Sequence, residues 1–232
     1  LDILIHLENK YQIIYFKRIM EDLLIIISIV LLFFGSIYYF FGESLYPSLI
    51  INSIKDGKEE TIVTQQQSSQ ISFIGWIRID DFDYKQGNER IIFVKGSSDL
   101  SLACPSLSID PHTNTLLVKV DTFDSQHIIP IDNIPTKKWL HFALTVNEHD
   151  LKVYINGIEK AYQYLPSLIK TNKSPIVVSP NGGFSGRVVS LKYFNKVLSY
   201  DEIQTLSKNI PSTGNETNQI FPPYFDSSWF RS

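Results

Sequence analysis

Two hydrophobic patterns succeed one another along this chain. From Leu23 to Phe41 the stretch LLIIISIVLLFFGSIYYFF carries neither a charge nor a proline. At 1.5 Å per residue such a run covers roughly 28 Å, about the depth of a bilayer's hydrocarbon core, and it predicts one transmembrane helix over residues 23–41. Tyr11 and Tyr15 precede the run and Tyr38, Tyr39 and Tyr46 close it, as amphipathic rings do at the headgroup level. A cleaved signal peptide is the competing reading, but its shorter apolar core and small-residue cleavage site have no counterpart between Phe41 and Tyr46. Lys10, Lys17 and Arg18 lie before the span and Lys55 and Lys58 at a distance after it, an asymmetry that favours a cytoplasmic N-terminus.

Beyond the polar stretch over 42–70, which contains KDGKEE and QQQSSQ, the pattern changes to short apolar runs separated by turn signals. ISFIGWIRI, RIIFVKG, LSLAC, TLLVKV, HIIPI, WLHFALTV, LKVYING, SPIVVS and GRVVSLKYF follow one another with no long helical period among them. Many short, evenly spaced strands predict an antiparallel sandwich or jelly roll. Leu151, Val153 and Ile155 alternate with Lys152 and Tyr154 and run into Asn156-Gly157, two residues that tolerate positive φ and suit a type I′ hairpin. Leu140, Phe142, Leu144 and Val146 share one face of the preceding strand, with His141, Ala143 and Thr145 on the other. Ser199-Tyr200-Asp201-Glu202 reads as a capping box opening a short helix with Ile203 and Leu206 as its stripe. The predicted organisation is a juxtamembrane segment over 1–22, the helix over 23–41, a linker with a possible first strand over 42–70, a β-sandwich over 71–208 and an aromatic tail over 209–232.

Composition adds constraints. The formal charge is only −3 and no stretch gathers Lys and Arg, which speaks against nucleic acid as a partner. Cys104 is the only cysteine in the sequence, so neither an intrachain disulfide nor a cysteine metal site can form. A disulfide-free sandwich leans towards maturation in a reducing compartment, which opposes the orientation that the flanking cations favour.

The segment from Lys137 to Ala161 resembles the central hairpin of laminin-G-like domains through Trp139, His141, Tyr154, Asn156 and Gly157. Gly182 to Leu206 resembles their closing strand and terminal helix through Phe184, Gly186, Asn195, Leu198, Ser199, Glu202 and Ile203. Ile71 to Phe82 resembles the opening strand through Phe73 and Trp76. The resemblance implies an all-β, antiparallel jelly-roll sandwich of the concanavalin-A-like type behind the transmembrane helix. One departure stands out: such closing strands commonly carry an acidic pair where this chain has Val189 and Ser190.

The resemblance also frames the candidate chemistry. β-Glucanases of this superfamily use carboxylates at alternate positions of one strand, and their E-x-D-x-E pattern is missing here, so no catalytic residue is assigned. Asp80, Asp81 and Asp83 read as a turn. Calcium sites at one rim of laminin-G domains make Asp121 and Asp124 a candidate pair of hard oxygen ligands; no other cofactor is implied. His141, beside Trp139, reads as structural. The tail concentrates Phe221, Tyr224, Phe225, Trp229 and Phe230, aromatics that either pack back on their own sandwich or dock on a neighbouring protein. An anchor, a laminin-G-like body and such a tail are similar in layout to virion proteins of large double-stranded DNA viruses. The expected function is a membrane-anchored structural or interaction protein, a minor capsid component linking an internal membrane to the protein shell; the alternative is a cell-surface glycan-binding receptor.

Overall fold

The computed structural model of the chain describes residues 2–45, 47–65 and 67–209, with side chains from residue 15 to 37 and in the described residues from 47 onward. The aromatic tail residues Phe221, Tyr224, Phe225, Trp229 and Phe230 lie outside the described residues. Two compact units emerge, Leu1–Tyr46 and Pro47–Ser232.

The first unit contains helix α1, Asp2–Leu45. It is longer than the predicted span, because the polar residues before Leu23 include no proline or glycine and continue the helix without a break. Within it Tyr15–Ile37 is long and apolar enough to cross a membrane, and the large side chains from Leu23 to Phe34 are exposed.

The second unit is a two-sheet sandwich. Its strands are β1 (Ser48–Ile51), β2 (Lys55–Asp56), β3 (Thr61–Val63), β4 (Ile71–Asp81), β5 (Arg90–Gly96), β6 (Ala103–Ile109), β7 (Leu116–Asp121), β8 (Gln126–Ile131), β9 (Trp139–Asn147), β10 (Asp150–Ile155), β11 (Ile158–Tyr164), β12 (Ile176–Val178) and β13 (Ser185–Phe194), followed by helix α2 (Tyr200–Ser207). A seven-stranded sheet runs β1-β13-β4-β9-β10-β11, with β2 also on β13, and a six-stranded sheet runs β3-β12-β5-β6-β7-β8. The stretch expected as a linker thus supplies three short strands, each paired with a strand from late in the chain: β1 and β2 with β13, β3 with β12.

Alternation along the strands builds the core. Ile71, Phe73, Ile77 and Ile79 of β4 and Leu140, Phe142, Leu144 and Val146 of β9 all join the inner cluster. Phe73 stacks on Phe93 of the opposite sheet at 4.7 Å and meets the Tyr193 ring edge-on at 5.2 Å, while Phe93 lies parallel to Phe142 at 5.9 Å. Such ring pairs add about 0.5–1.5 kcal/mol beyond their area burial. Pro105 lies inside β6, further along than the run LSLAC suggests. It is tolerated because the β5–β6 register slips between Val94 and Gly96, so the missing N–H falls at an irregularity and not in the ladder.

Two local features agree with the sequence pattern. Asn156 (φ 49°) and Gly157 (φ 80°) are both left-handed and connect the paired Ile155 and Ile158, the geometry of a type I′ turn. Ser199 Oγ accepts from Glu202 N–H, and the Glu202 carboxylate accepts from Ser199 N–H at 2.8 Å, which completes the capping box. The helix so started lays Ile203 and Leu206 over Ile74, Ala143, Tyr154, Phe194 and Leu198 on the outer face of the seven-stranded sheet.

Because Phe73 is fully buried against the Phe93 and Tyr193 rings, Phe73→Ala is expected to destabilise the sandwich by about 3–5 kcal/mol. Urea unfolding of the full chain in detergent measures it; a cost below about 1 kcal/mol contradicts this packing.

Candidate functional site

The acidic residues singled out from sequence are engaged by the fold. Asp80 Oδ1 lies 2.9 Å from Arg78 Nε, and Asp81 Oδ1 accepts the Asp83 N–H at 2.8 Å, inside a turn closed by Gln86 N–H to Asp83 O. Asp121, at the end of β7, is buried; one carboxylate oxygen accepts the Ala103 N–H at 2.5 Å and the other accepts from Gln126 Nε2 at 3.1 Å. Asp124 is exposed in the following turn, where Thr122 N–H and Oγ1 both donate to Ser125 O. Asp121 therefore clamps two strands, and Asp124 alone faces solvent. Among the described residues no group of three or more His, Cys, Asp or Glu stands together, so a cation here would draw its remaining ligands from backbone carbonyls and water.

Cys104 is buried and its thiol is pushed up to about 12, chiefly by burial and next by the Asp121 charge, which leaves it without nucleophilic character at neutral pH.

His141 is set more deeply than its sequence position announces. It lies on the outer face of the seven-stranded sheet, paired across the ladder with Trp76, and its ring meets the indole at 5.2 Å and 68°. Its backbone is fixed from both sides: its N–H donates to Asn156 Oδ1 at 3.0 Å and its carbonyl accepts the Asn156 N–H at 2.8 Å. The residue is 1% exposed, yet no protein group among the described residues hydrogen-bonds either ring nitrogen. A recess of about 80 Å³ adjoins it, with Trp76, Ser190, Lys192, Leu206 and Asn209 also in its walls.

A second feature lies on the β10–β11 hairpin. Tyr162 and Tyr164 alternate onto one face of edge strand β11 and are 54% and 57% exposed. Their partners across the ladder are Lys152 and Asp150. The Tyr162 hydroxyl donates to Asp150 Oδ1 at 2.6 Å, the His149 ring stacks on Tyr164 at 6.0 Å and 18°, and Lys152 Nζ stands 5.7 Å from the Tyr162 ring centre. The pair is an open aromatic surface, held in place and bordered by a carboxylate, an imidazole and an ammonium. The sequence carries its signal, the alternation Tyr-Gln-Tyr shortly after the Asn-Gly turn, but residues 158–164 have too few apolar side chains for the hydrophobic pattern to mark a strand there.

A family model described as concanavalin A-like lectin/glucanases superfamily, of laminin-G type, matches residues 56–204. No curated protein matches in sequence. Similar solved structures include the binding domain of botulinum neurotoxin serotype D (20% identity, TM-score 0.54, covering 68% of this chain and 41% of that one). They also include the receptor-binding domain of the botulinum neurotoxin C/D mosaic serotype (19%, TM-score 0.56, 69% and 44%). A third is the serotype D ligand-binding domain in complex with N-acetylneuraminic acid (19%, TM-score 0.54, 71% and 44%). This chain spans less than half the length of each; at these identities the likeness is one of fold.

Burial pushes the His141 imidazolium down to about 3, while an imidazole in the unfolded chain titrates near ~6.5. Between those values the unfolded state binds the extra proton, so the stability tied to this uncharged ring is full above about pH 6.5 and is lost as pH falls towards 3. Urea midpoints at pH 7 and pH 4.5 should therefore fall less for His141→Phe than for the natural chain; equal falls contradict a buried neutral imidazole.

Proposed function

This chain belongs to the concanavalin A-like lectin/glucanases superfamily, and from that premise we propose that it is a membrane-tethered glycan-binding protein. The observation that carries the reading is the Tyr162–Tyr164 surface. Sugars present apolar C–H faces and a fringe of hydroxyls, and an exposed aromatic pair bordered by Asp150, His149 and Lys152 offers a platform for the first and hydrogen-bonding groups for the second. Because the rings are held by their own hydroxyl and stacking partners, little side-chain freedom remains to be lost on binding. The complex of a structurally similar botulinum neurotoxin domain with N-acetylneuraminic acid supports the same class of ligand.

We read the chain as a binder and not a glycosidase. Asp80, Asp81 and Asp121 already hold an ion pair, a turn and a strand clamp, whereas hydrolysis needs two carboxyl groups facing one cleft. The exposed apolar stretch Tyr15–Ile37 is the tether in this reading. A role between an internal membrane and a virion shell puts its contacts on the tail, outside the described residues; the support found in the sandwich is for glycan.

On a glycan array, the full chain in detergent should bind a subset of oligosaccharides, and Tyr162→Ala or Tyr164→Ala should each weaken that binding about tenfold, roughly 1.4 kcal/mol. Absence of binding, or affinity untouched in the double variant, rejects the platform. When membranes carrying the chain are washed with alkaline carbonate, it should stay in the pellet; release into the supernatant rejects the tether.

A further inference from the structure

The outer face of the seven-stranded sheet breaks its regularity at one point. Along β13, Val189 pairs with Trp76 and Lys192 with Ile74, so Ser190 and Leu191 together stand opposite Gly75. This bulge keeps Leu191 in the inner core while Ser190 and Lys192 both border the recess on the other side. Ser190 has φ 52°, a left-handed conformation that costs a non-glycine residue on the order of 1 kcal/mol. Bulges of this kind re-aim side chains and collect beside functional sites.

The recess has a consistent chemistry. At about 80 Å³ it exceeds several times the ~10–15 Å³ that one water needs. Its lining includes Ser190, Lys192, Asn209 and His141, with Trp76 beside them and no Asp or Glu among the described residues. Lys192 makes no ion pair or side-chain hydrogen bond among the described residues, and both His141 nitrogens lack a protein partner there. A buried polar group left so costs about 1–3 kcal/mol.

We propose that this recess binds an oxyanion, a carboxylate or phosphate group brought by a ligand, with Lys192 supplying the charge, Ser190 and Asn209 the hydrogen bonds, and the buried His141 ring forming part of the wall. Burial keeps the His141 imidazole uncharged at neutral pH, so among the described lining residues the positive charge comes from Lys192. The site is separate from the Tyr162–Tyr164 platform and does not depend on the glycan reading.

The test uses the full chain in detergent micelles with ¹⁵N-labelled histidine, the His141 ring signals being assigned by their loss in His141→Gln. Sodium acetate and inorganic phosphate should shift these signals saturably, where sodium chloride at equal ionic strength does not. Lys192→Met should raise the apparent Kd tenfold or more. Ser190→Glu, which gives the recess a carboxylate from the chain itself, should abolish the saturable shift while moving the His141 signals towards their liganded position. Galacturonic acid and galactose separate the sources: a response to the acid sugar assigns a sugar-borne carboxylate, and a response to acetate and phosphate alone assigns a free small anion. No saturable shift with any of the anions overturns the proposal, as does an unchanged Kd in Lys192→Met or undiminished binding in a folded Ser190→Glu chain.

Discussion

Strands β4 and β9 lie in the middle of their sheet and must bury both faces, but the two faces meet covers of very different size. On the inner face the whole six-stranded sheet answers them, and Phe73, Phe93, Phe142 and Tyr193 lock the two layers through ring contacts. On the outer face the cover includes a helix of eight residues, about 12 Å long, lying on a strand of eleven residues that extends about 36 Å. Ile203 and Leu206 seal Ile74, Ala143 and Tyr154. Beyond the end of that helix the same surface continues as Trp76 and His141, and the recess begins there. The position of the pocket follows from the length of α2, set at its start by the capping box.

Several other buried polar groups of the sandwich tie loops to strands. Arg90, 1% exposed, donates to the carbonyls of Phe82 and Asp110 and so fixes the loop after β4 against the end of β6. Lys95 donates to Ser174 O at 3.1 Å, and Lys119 meets Glu89 at 2.5 Å. Asp121 belongs to the same class, a buried charge whose lone pairs are taken by neighbouring donors. Against this background His141 stands out: it is buried, and no protein group among the described residues hydrogen-bonds either of its ring nitrogens.

Much of the fold was legible because it rests on local rules. Asn156-Gly157, the alternation from Leu151 to Ile155 and the Ser199–Glu202 box each carry their geometry in adjacent residues, and the strands from Ile71 onward follow from period-2 patterning. Strands β1, β2 and β3 were hidden because they are two to four residues long and take their pairing from β13 and β12, more than a hundred residues away. The outer-face burial of His141 was equally hidden, since alternation assigns a face and is silent on what covers it. Ser190 showed only as a departure from an expected acid; that it adopts a left-handed φ and opens onto a recess depends on a register slip that no local pattern encodes.

An exposed aromatic pair on an edge strand admits two physical roles, lateral pairing with another strand or face-on contact with a ligand. Edge strands that avoid pairing are blunted by bulges, charges or proline. Here β11 slips register against β10 between Val153 and Tyr154 and carries Glu159 and Lys160 at that point, while Pro130 removes a donor from β8, the edge of the other sheet. The main-chain edge of β11 is thus poorly suited to receive a strand, and Tyr162 and Tyr164 project from the face and not along the edge. Their hydroxyl and stacking partners lie on the neighbouring strand and turn, so the surface they form is rigid before any ligand arrives. Rigid, open ring faces beside hydrogen-bonding groups favour recognition of a flat, hydroxylated ligand over assembly by strand addition, which is why the glycan reading carries more weight than any role requiring this sheet to extend.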